Sequence, residues 1–452
     1  MSQSLFPDDN HLGLLTDLYE LTMAAGYFVH GLAEQRATFE LWIRRLPERR
    51  NYLIAAGLEQ AVHYLQNLSF APEQVEYLRS QSMFANVPAA WFERLRSLRF
   101  DGDLWAMPEG TVAFAGEPLL RVTAPLMVAQ IVETYLITTI TMQTLVASKA
   151  ARVMTAARGK AVVDFGSRRA HGPQSGLLAA RAACLAGCTG TSNTEAARLL
   201  GVPAVGTQAH SWIMAHDNEI DAFRRFGQIF PQAALLVDTY DTLQGVRNAL
   251  AAGVPFQAVR LDSGNLLELS RAARAILDEA GRRDVQIVAS GDLNEYKIHD
   301  LLEAGAPIDL FGVGTELVTS RDEPTLATVY KLVEQETAAG TIGRYKLATE
   351  KKTYPFAKQI YRMQDASGRF SGDVIARAVE THAGAQLLTP VLQQSRLVRP
   401  LDSLAECQER VRQQLHALPP ELLRLDRATA YPVSVSRRLE EDARQLAAQR
   451  PS

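Results

Sequence analysis

Cysteine is scarce in this chain of 452 residues: Cys184, Cys188 and Cys407 are all there is. Three thiols cannot make a disulfide framework. The Cys184/Cys188 spacing has no second ligand pair beside it, whereas a zinc site needs about four ligands. Reduced, buried thiols are the expectation, which fits a cytoplasmic protein. An excess of one charge is also missing, since 47 Lys and Arg face 50 Asp and Glu for a net of −3. That balance excludes a nucleic-acid binder working through bulk positive charge. With 21% charged and 47% hydrophobic residues, the chain is not intrinsically disordered either. It has no low-complexity tract and no fixed-period repeat. Residues 1–11 lack the basic-then-apolar pattern of a signal peptide. The most apolar stretch, 126–146, carries Gln130, Glu133 and Gln143. A membrane span of about 20 residues tolerates such groups poorly, so a buried helix is expected and no membrane partner.

What is present falls into three textures. Residues 14–28 have helical spacing with Asp17 and Glu20 near the start; 37–43 alternate like a strand, and 53–65 return to helical period. Residues 103–122 predict two short antiparallel strands, with turns at Pro108-Glu109-Gly110 and Gly116-Glu117-Pro118. From about residue 150, short apolar runs alternate with amphipathic helices such as 266–279 and 294–304. The runs are 161–165, 186–191, 204–207, 234–239, 258–261, 286–289 and 310–313. Strand–helix alternation requires parallel pairing, and seven units predict a closed or nearly closed barrel. Beyond Gly343 strand alternation returns through 360–362, with turns at Gly368 and Gly372, before charged helices at 404–415 and 436–449. The expected fold is α/β: an irregular TIM-like barrel, with an α+β domain formed by the N- and C-terminal segments. The expected boundaries are 1–125, 126–340 and 341–452.

Nearly every βα loop of the middle third opens with a polar, glycine-containing cluster. These include Asp164-Phe-Gly-Ser-Arg-Arg169, Gly190-Thr-Ser-Asn193, Gly206-Thr-Gln-Ala-His-Ser211 and Asp238-Thr-Tyr-Asp241. Arg260-Leu-Asp-Ser-Gly264, Ser290-Gly-Asp292 and Gly312-Val-Gly-Thr-Glu316 complete the set. One such cluster is a helix cap. Seven after successive strands converge on the carboxyl face of a barrel, where active sites are built. Gly312, Gly314 and Thr315 offer backbone N–H groups and a hydroxyl to an anion. Arg168, Arg169 and Arg260 match phosphate or carboxylate oxygens. Asp238, Asp262 and Asp292 would repel a bare polyanion, and make sense with a divalent cation or sugar hydroxyls between. Together they describe a site for a phosphorylated sugar with Mg²⁺. A phosphosugar-binding aldolase or isomerase stays open on these grounds, although none of the clusters contains the Schiff-base lysine an aldolase uses.

Longer motifs carry a resemblance. They are Thr16-Asp-Leu-Tyr19-Glu-Leu-Thr-Met23, Phe165-Gly-Ser-Arg168-Arg169 and Gly206-Thr207-Gln-Ala-His210-Ser211. Val259-Arg-Leu-Asp-Ser-Gly264, Ala289-Ser-Gly-Asp-Leu-Asn-Glu295 and Phe311-Gly-Val-Gly-Thr-Glu-Leu-Val318 follow in order. Over nearly its whole length the chain resembles the nicotinate phosphoribosyltransferases. The resemblance implies condensation of nicotinate with 5-phosphoribosyl-1-pyrophosphate to nicotinate mononucleotide and pyrophosphate. It also implies ATP hydrolysis coupled to that reaction in NAD salvage (the ligase class), Mg²⁺, and a homodimer sharing its active sites.

Residue by residue, the resemblance implies a pyridine ring held between Tyr19 and Phe165. Tyr19 is far from the barrel in sequence, so its use requires a partner subunit or a folded-back amino terminus. Arg168 would hold the nicotinate carboxylate or the product phosphate. Ser192 stands where the related nicotinamide enzymes place an Asp; a carboxylate there would repel nicotinate, and serine removes that repulsion. His210 matches the histidine phosphorylated from ATP, with Thr207 beside it and Ser211 expected to cap the following helix. His171 and His216 are spare candidates. Asp238, Arg260, Asp262, Gly291, Gly312 and Gly314 match positions around the ribose, phosphates and Mg²⁺, and Arg169, Asp292 and Thr315 lie in the same loops. His210, Asp262 and Arg260 are the expected catalytic residues, and Mg²⁺ is expected to be held mainly through substrate phosphates. Lys351, Lys352 and Lys358 could cover the phosphates or form a solvated loop. The alternatives are a nicotinamide or quinolinate phosphoribosyltransferase, or a catalytically dead relative; the last would lack expected Arg or Asp positions, and none is lacking.

Overall fold

Both ends of the chain build one unit, and the middle builds another. In a computed structural model describing residues 8–346, 353–426 and 430–449, one unit joins residues 1–144 and 325–452, and the other is 145–324. The divisions thus fall at 145 and 324, where the sequence pattern suggested 126 and 340.

In the first unit, the alternating segment becomes the strand Arg36–Ile43, which pairs antiparallel with Pro118–Pro125 on one side and Thr328–Thr337 on the other. They lie within a seven-stranded sheet that also contains Asp103–Ala106 and Thr389–Gln393. The region 103–122 forms three strands, because Val112–Ala113 leaves the hairpin to pair with Leu53–Ile54. The helix expected from residue 53 therefore starts at Leu58. Gly57 makes the turn at φ +100°, and a Cβ there would lie 2.9 Å from the Thr139 carbonyl oxygen. A second sheet holds Lys358–Gln364, Phe370–Arg377, Ala385–Gln386 and Val433–Val435. Gly368 turns its hairpin at φ +80°, whereas Gly372 lies inside a strand. The closing helices Leu404–Ala417 and Arg437–Ala448 start at Ser403 and Ser436, whose hydroxyls accept backbone N–H groups.

Lys358 is neither a phosphate cover nor a solvated group. Its buried ammonium sits 2.8 Å from Glu40 and donates to the carbonyls of Tyr354 and Phe356. Lys351 and Lys352 lie outside the described residues.

The apolar stretch from 126 forms two helices, Leu126–Ile131 and Glu133–Ala156. Its polar groups are satisfied internally, with Gln130 donating to Glu133 at 2.8 Å. Among the described residues no helix is long and apolar enough to cross a membrane.

The second unit is built on a curled parallel half-barrel of six strands. Its order is Gly190–Thr191, Ala161–Asp164, Leu310–Val313, Gln286–Ala289, Ala258–Leu261 and Ala234–Leu236. The run at 204–207 contributes a single bridge, Ala204 to Thr191. Pro203 has no N–H to give the ladder and Gly206 follows, so pairing stops there. The run at 186–191 shrinks to two residues because Gly187, at φ +114°, is still closing the helix Pro173–Leu185.

Candidate active site

Loops leaving the carboxyl ends of these strands line two cavities, of about 750 Å³ and 220 Å³. Phe165, Arg168, Arg260 and Asp262 line both, which makes the pair one continuous site. The smaller part is also walled by Arg169, Ser290, Gly291, Asp292, Gly312, Gly314 and Thr315. The larger part reaches Ser192 and His210, with Pro173, Leu177 and Leu236 as its apolar wall.

Asp164 fixes the first loop. It is buried, accepting the Gly166 N–H at 2.8 Å on one oxygen and the Thr191 hydroxyl at 2.8 Å on the other. Burial pushes its pKa up, and these two donors oppose that rise. Phe165 then turns its ring against Gly312, where a Cβ would lie 2.3 Å from the ring. Only glycine leaves space for the phenyl group.

Arg260 and Asp262 share one knot. The Arg260 guanidinium donates to the Ser290 hydroxyl at 2.8 Å and to the Asp262 carboxylate at 2.6 Å. It also lies over the Phe165 ring, 5.2 Å from the centroid. Burial raises the Asp262 pKa, but the Ser290 hydroxyl and the Arg260 charge outweigh it and hold the carboxyl below its usual range. Asp238 lies behind this loop and lines neither cavity. One of its oxygens accepts the Asp262 N–H at 2.9 Å and the Ser263 hydroxyl at 2.7 Å. Gly291 passes so close that a Cβ would be 1.9 Å from the Asp262 carbonyl oxygen, and its φ of +89° also demands glycine.

His210 opens the short helix His210–Met214. Its Nδ1 lies 3.1 Å from the Thr239 hydroxyl and its Nε2 4.0 Å from the Asp262 carboxylate. The imidazole is therefore beside the knot and partly open to solvent.

Three family models match the chain: a nicotinate phosphoribosyltransferase N-terminal domain over 14–141, the nicotinate phosphoribosyltransferase family over 160–347, and its C-terminal domain over 379–442. A nicotinate phosphoribosyltransferase of Mycobacterium tuberculosis is 45% identical over 438 residues, 95% of this chain and 93% of that protein. The chain belongs to the nicotinate phosphoribosyltransferase family. A Bacillus subtilis family member is 39% identical over 381 residues, covering 82% of this chain and 77% of its own. The crystal structure of human nicotinic acid phosphoribosyltransferase matches with a TM-score of 0.84 and 30% identity, covering 96% of this chain and 100% of the human one.

Against the positions that family resemblance suggested, the structure gathers Phe165, Arg168, Arg169, Ser192, His210, Arg260, Asp262, Gly291, Asp292, Gly312, Gly314 and Thr315 around the cavities. Thr207 and Ser211 are absent from the lining. The Thr207 hydroxyl bonds the Gln208 backbone, and Ser211 is exposed inside the helix that it was expected to cap; the cap position is Ala209. Tyr19 belongs to the first unit, half exposed on the helix Leu18–Val29. His216 bonds the Trp212 carbonyl at 2.7 Å, and His171 lines neither cavity. Ser290, Asn193 and Glu195 are lining residues that sequence reasoning passed over. Ser290 and Asn193 carried a signal, standing in strand-end clusters; Glu195 lies in the first turn of the helix Thr194–Leu200 and stood in none. Asn193 also caps that helix, accepting the Ala196 N–H at 3.0 Å.

Proposed function

We propose that this protein condenses nicotinate with 5-phosphoribosyl-1-pyrophosphate, releasing nicotinate mononucleotide and pyrophosphate. The observation that carries the reading is the Arg260–Asp262–Ser290 knot, set against the Phe165 ring on one side and the glycine loops on the other. An aromatic wall suits a flat pyridine ring. Arg168, Arg169 and Arg260 suit the pyrophosphate, and a cavity of about 750 Å³ is the right scale for a ligand of this size.

The pyridine nitrogen lone pair attacks C1 of the ribose, the N–C bond forms, and the bond to pyrophosphate breaks with its electrons leaving on oxygen. Positive charge develops on the ribose during this displacement. Asp262 remains ionised because of its neighbours and stabilises that charge, while the guanidiniums receive the leaving group. The donor set fits Mg²⁺: Asp262 and Asp292 line the same small cavity, and this ion binds through one or two carboxylates plus substrate phosphates. Among the described residues no cluster of three or more His, Cys, Asp or Glu could hold a metal unaided. Bound there, Mg²⁺ would neutralise the leaving pyrophosphate.

His210 is the proposed acceptor of a phosphoryl group from ATP, with ADP leaving and water later releasing phosphate. Thr239 engages Nδ1, so Nε2 is the nitrogen on the Asp262 side. In this reading the enzyme is a cytoplasmic homodimer of NAD salvage, and Tyr19 of the partner subunit closes the pyridine site.

Pyrophosphate release from phosphoribosyl pyrophosphate, with nicotinate or nicotinamide and with or without ATP, tests the proposal. Nicotinate is expected to react faster, ATP to accelerate it, and His210→Ala to abolish the ATP effect while sparing the basal rate. Ser192→Asp is expected to lower kcat/KM for nicotinate by about 10²-fold, since like charges set together cost several kcal/mol. A faster amide reaction in the wild type would overturn the assignment of the acid.

A further inference from the structure

Behind the smaller cavity lies a cluster of charges that the reaction does not use directly. Lys149, on the 24-residue helix Glu133–Ala156, is fully buried. Its ammonium sits 2.6 Å from Glu295, 2.9 Å from Asp322 and 3.7 Å from Glu316. Glu295 is also held by Arg152, whose Nε donates to its other oxygen at 3.1 Å. Arg152 in turn donates to the Tyr296 hydroxyl at 3.1 Å.

The places these carboxylates come from give the cluster its meaning. Glu295 begins a helix three positions after Asp292, and Glu316 follows directly on Thr315. Asp292 and Thr315 both line the smaller cavity, each in its own glycine loop. One ammonium therefore ties down both loops from behind. Other bonds hold the first loop from its sides, with Lys297 donating to the Asp292 carbonyl at 2.8 Å and Arg260 to the Ser290 hydroxyl at 2.8 Å; the helix after Gly314 is only four residues long, and Gly291 and Asp292 both hold positive φ. A buried lysine of this kind adds little stability over a well-packed hydrophobic residue, so its geometric effect is what distinguishes it.

We propose that Lys149 is a positioning residue that sets the spacing of the two glycine loops at the phosphate-binding end of the site. The inference rests on the reading of the site as a phosphoribosyltransferase, and it deepens that reading for one half of the cavity. Lys149 touches no substrate. It acts through Glu295 and Glu316, beyond the strand Leu310–Val313 that carries Gly312 against the Phe165 ring, so it affects the anion end more than the pyridine end.

The test measures the Kd for phosphoribosyl pyrophosphate with Mg²⁺ by calorimetry in the absence of nicotinate, together with the separate KM values for nicotinate and phosphoribosyl pyrophosphate. Glu316→Gln removes the arm to the Thr315 loop and leaves the closer contacts to Glu295 and Asp322 in place. It is expected to weaken binding of the ribosyl donor and raise its KM about tenfold, below the roughly 10²-fold that a 1 Å misplacement can cost. The KM for nicotinate is expected to stay within about twofold. Lys149→Met should show the same split more strongly. Adding Glu316→Gln to it should cost nothing further, because both act through one contact. If Lys149→Met does not fold, Glu316→Gln alone decides. Unchanged binding of the ribosyl donor in Glu316→Gln, or an equal rise in both KM values, overturns the proposal. A wild type that binds phosphoribosyl pyrophosphate but does not use nicotinate overturns the assigned reaction and leaves the loop test standing.

Discussion

Each unit of this protein contains an arginine paired with an aspartate at 2.6 Å, and the two pairs do opposite things. In the first unit Arg362 meets Asp373, and the two side chains are 2% and 0% exposed. Every donor of Arg362 is engaged: Nε and one terminal nitrogen by Asp373, the other by the Val112 carbonyl and Gln414. The rings of Phe114 and Phe370 lie 5.3 and 4.7 Å away. In the second unit Arg260 meets Asp262 with 15% and 25% exposure. One of its terminal nitrogens has no protein partner among the described residues. Pair distance therefore says nothing about function. The donor left over, and the open space in front of it, identify the pair that can take a ligand.

Two carboxylates, Asp262 and Glu20, show a similar contrast. Asp262 is held below its usual range by its neighbours, whereas Glu20, buried in the first unit, is pushed up to about 7 by desolvation that the Thr134 and Thr16 hydroxyls only partly offset. The carboxylate facing the cavity is preset to stay charged, whereas the one buried in the first unit prefers its proton.

Truncating each arginine in turn separates the two pairs most strongly. Arg260→Met is expected to lower kcat/KM by about 10²–10³-fold, the cost of one positioned donor, with a small change in Tm. Arg362→Met is expected to lose roughly 3–5 kcal/mol of stability by stranding Asp373, while the folded fraction keeps its kcat. Matching losses in both assays for both variants would erase the distinction. A smaller effect should come from Gly312→Ala. The added methyl collides with the Phe165 ring, and the KM for nicotinate is expected to rise about tenfold, scaled from the roughly 10²-fold cost of a 1 Å misplacement. An unchanged KM would remove Phe165 from the pyridine site.

The smallest effect is on pH. The folded pKa of Glu20 is above its ordinary 4.5, so the folded state binds the proton more tightly than the unfolded chain. Stability is then lost as pH rises from 4.5 to about 7 and levels off above that. After allowance for solvent screening the loss is about 2 kcal/mol. Urea midpoints at pH 5 and 8 should therefore differ more in the wild type than in Glu20→Gln. An equal difference would assign the pH dependence to another group.

Much of the site was legible because strand ends announce themselves. Runs such as 258–261, 286–289 and 310–313 matched the observed strands to the residue, and the clusters after them reached the cavities. The function of individual polar residues within the clusters was less legible. Asn193, Asp241, Asn265 and Asn294 all cap helices by accepting an N–H three residues on. Asp262 faces the cavity, and Asp238 braces Asp262 from behind. All are short polar side chains following a strand, and the local pattern is the same for cap, brace and ligand.

Alternation of apolar and polar residues is a property of neighbours along the chain, so it determined where strands and helices form and which loops lie at the carboxyl ends. It also determined that glycines, arginines and aspartates gather in those loops. Which of these groups meet depends on the strand order, in which the strand at 161 lies between those at 190 and 310. Partners such as Glu40 and Lys358, far apart in sequence, depend on the same kind of long-range arrangement. Only the tertiary structure decided those meetings, because a distance between two loops is set by everything packed between them and by no residue pattern within either.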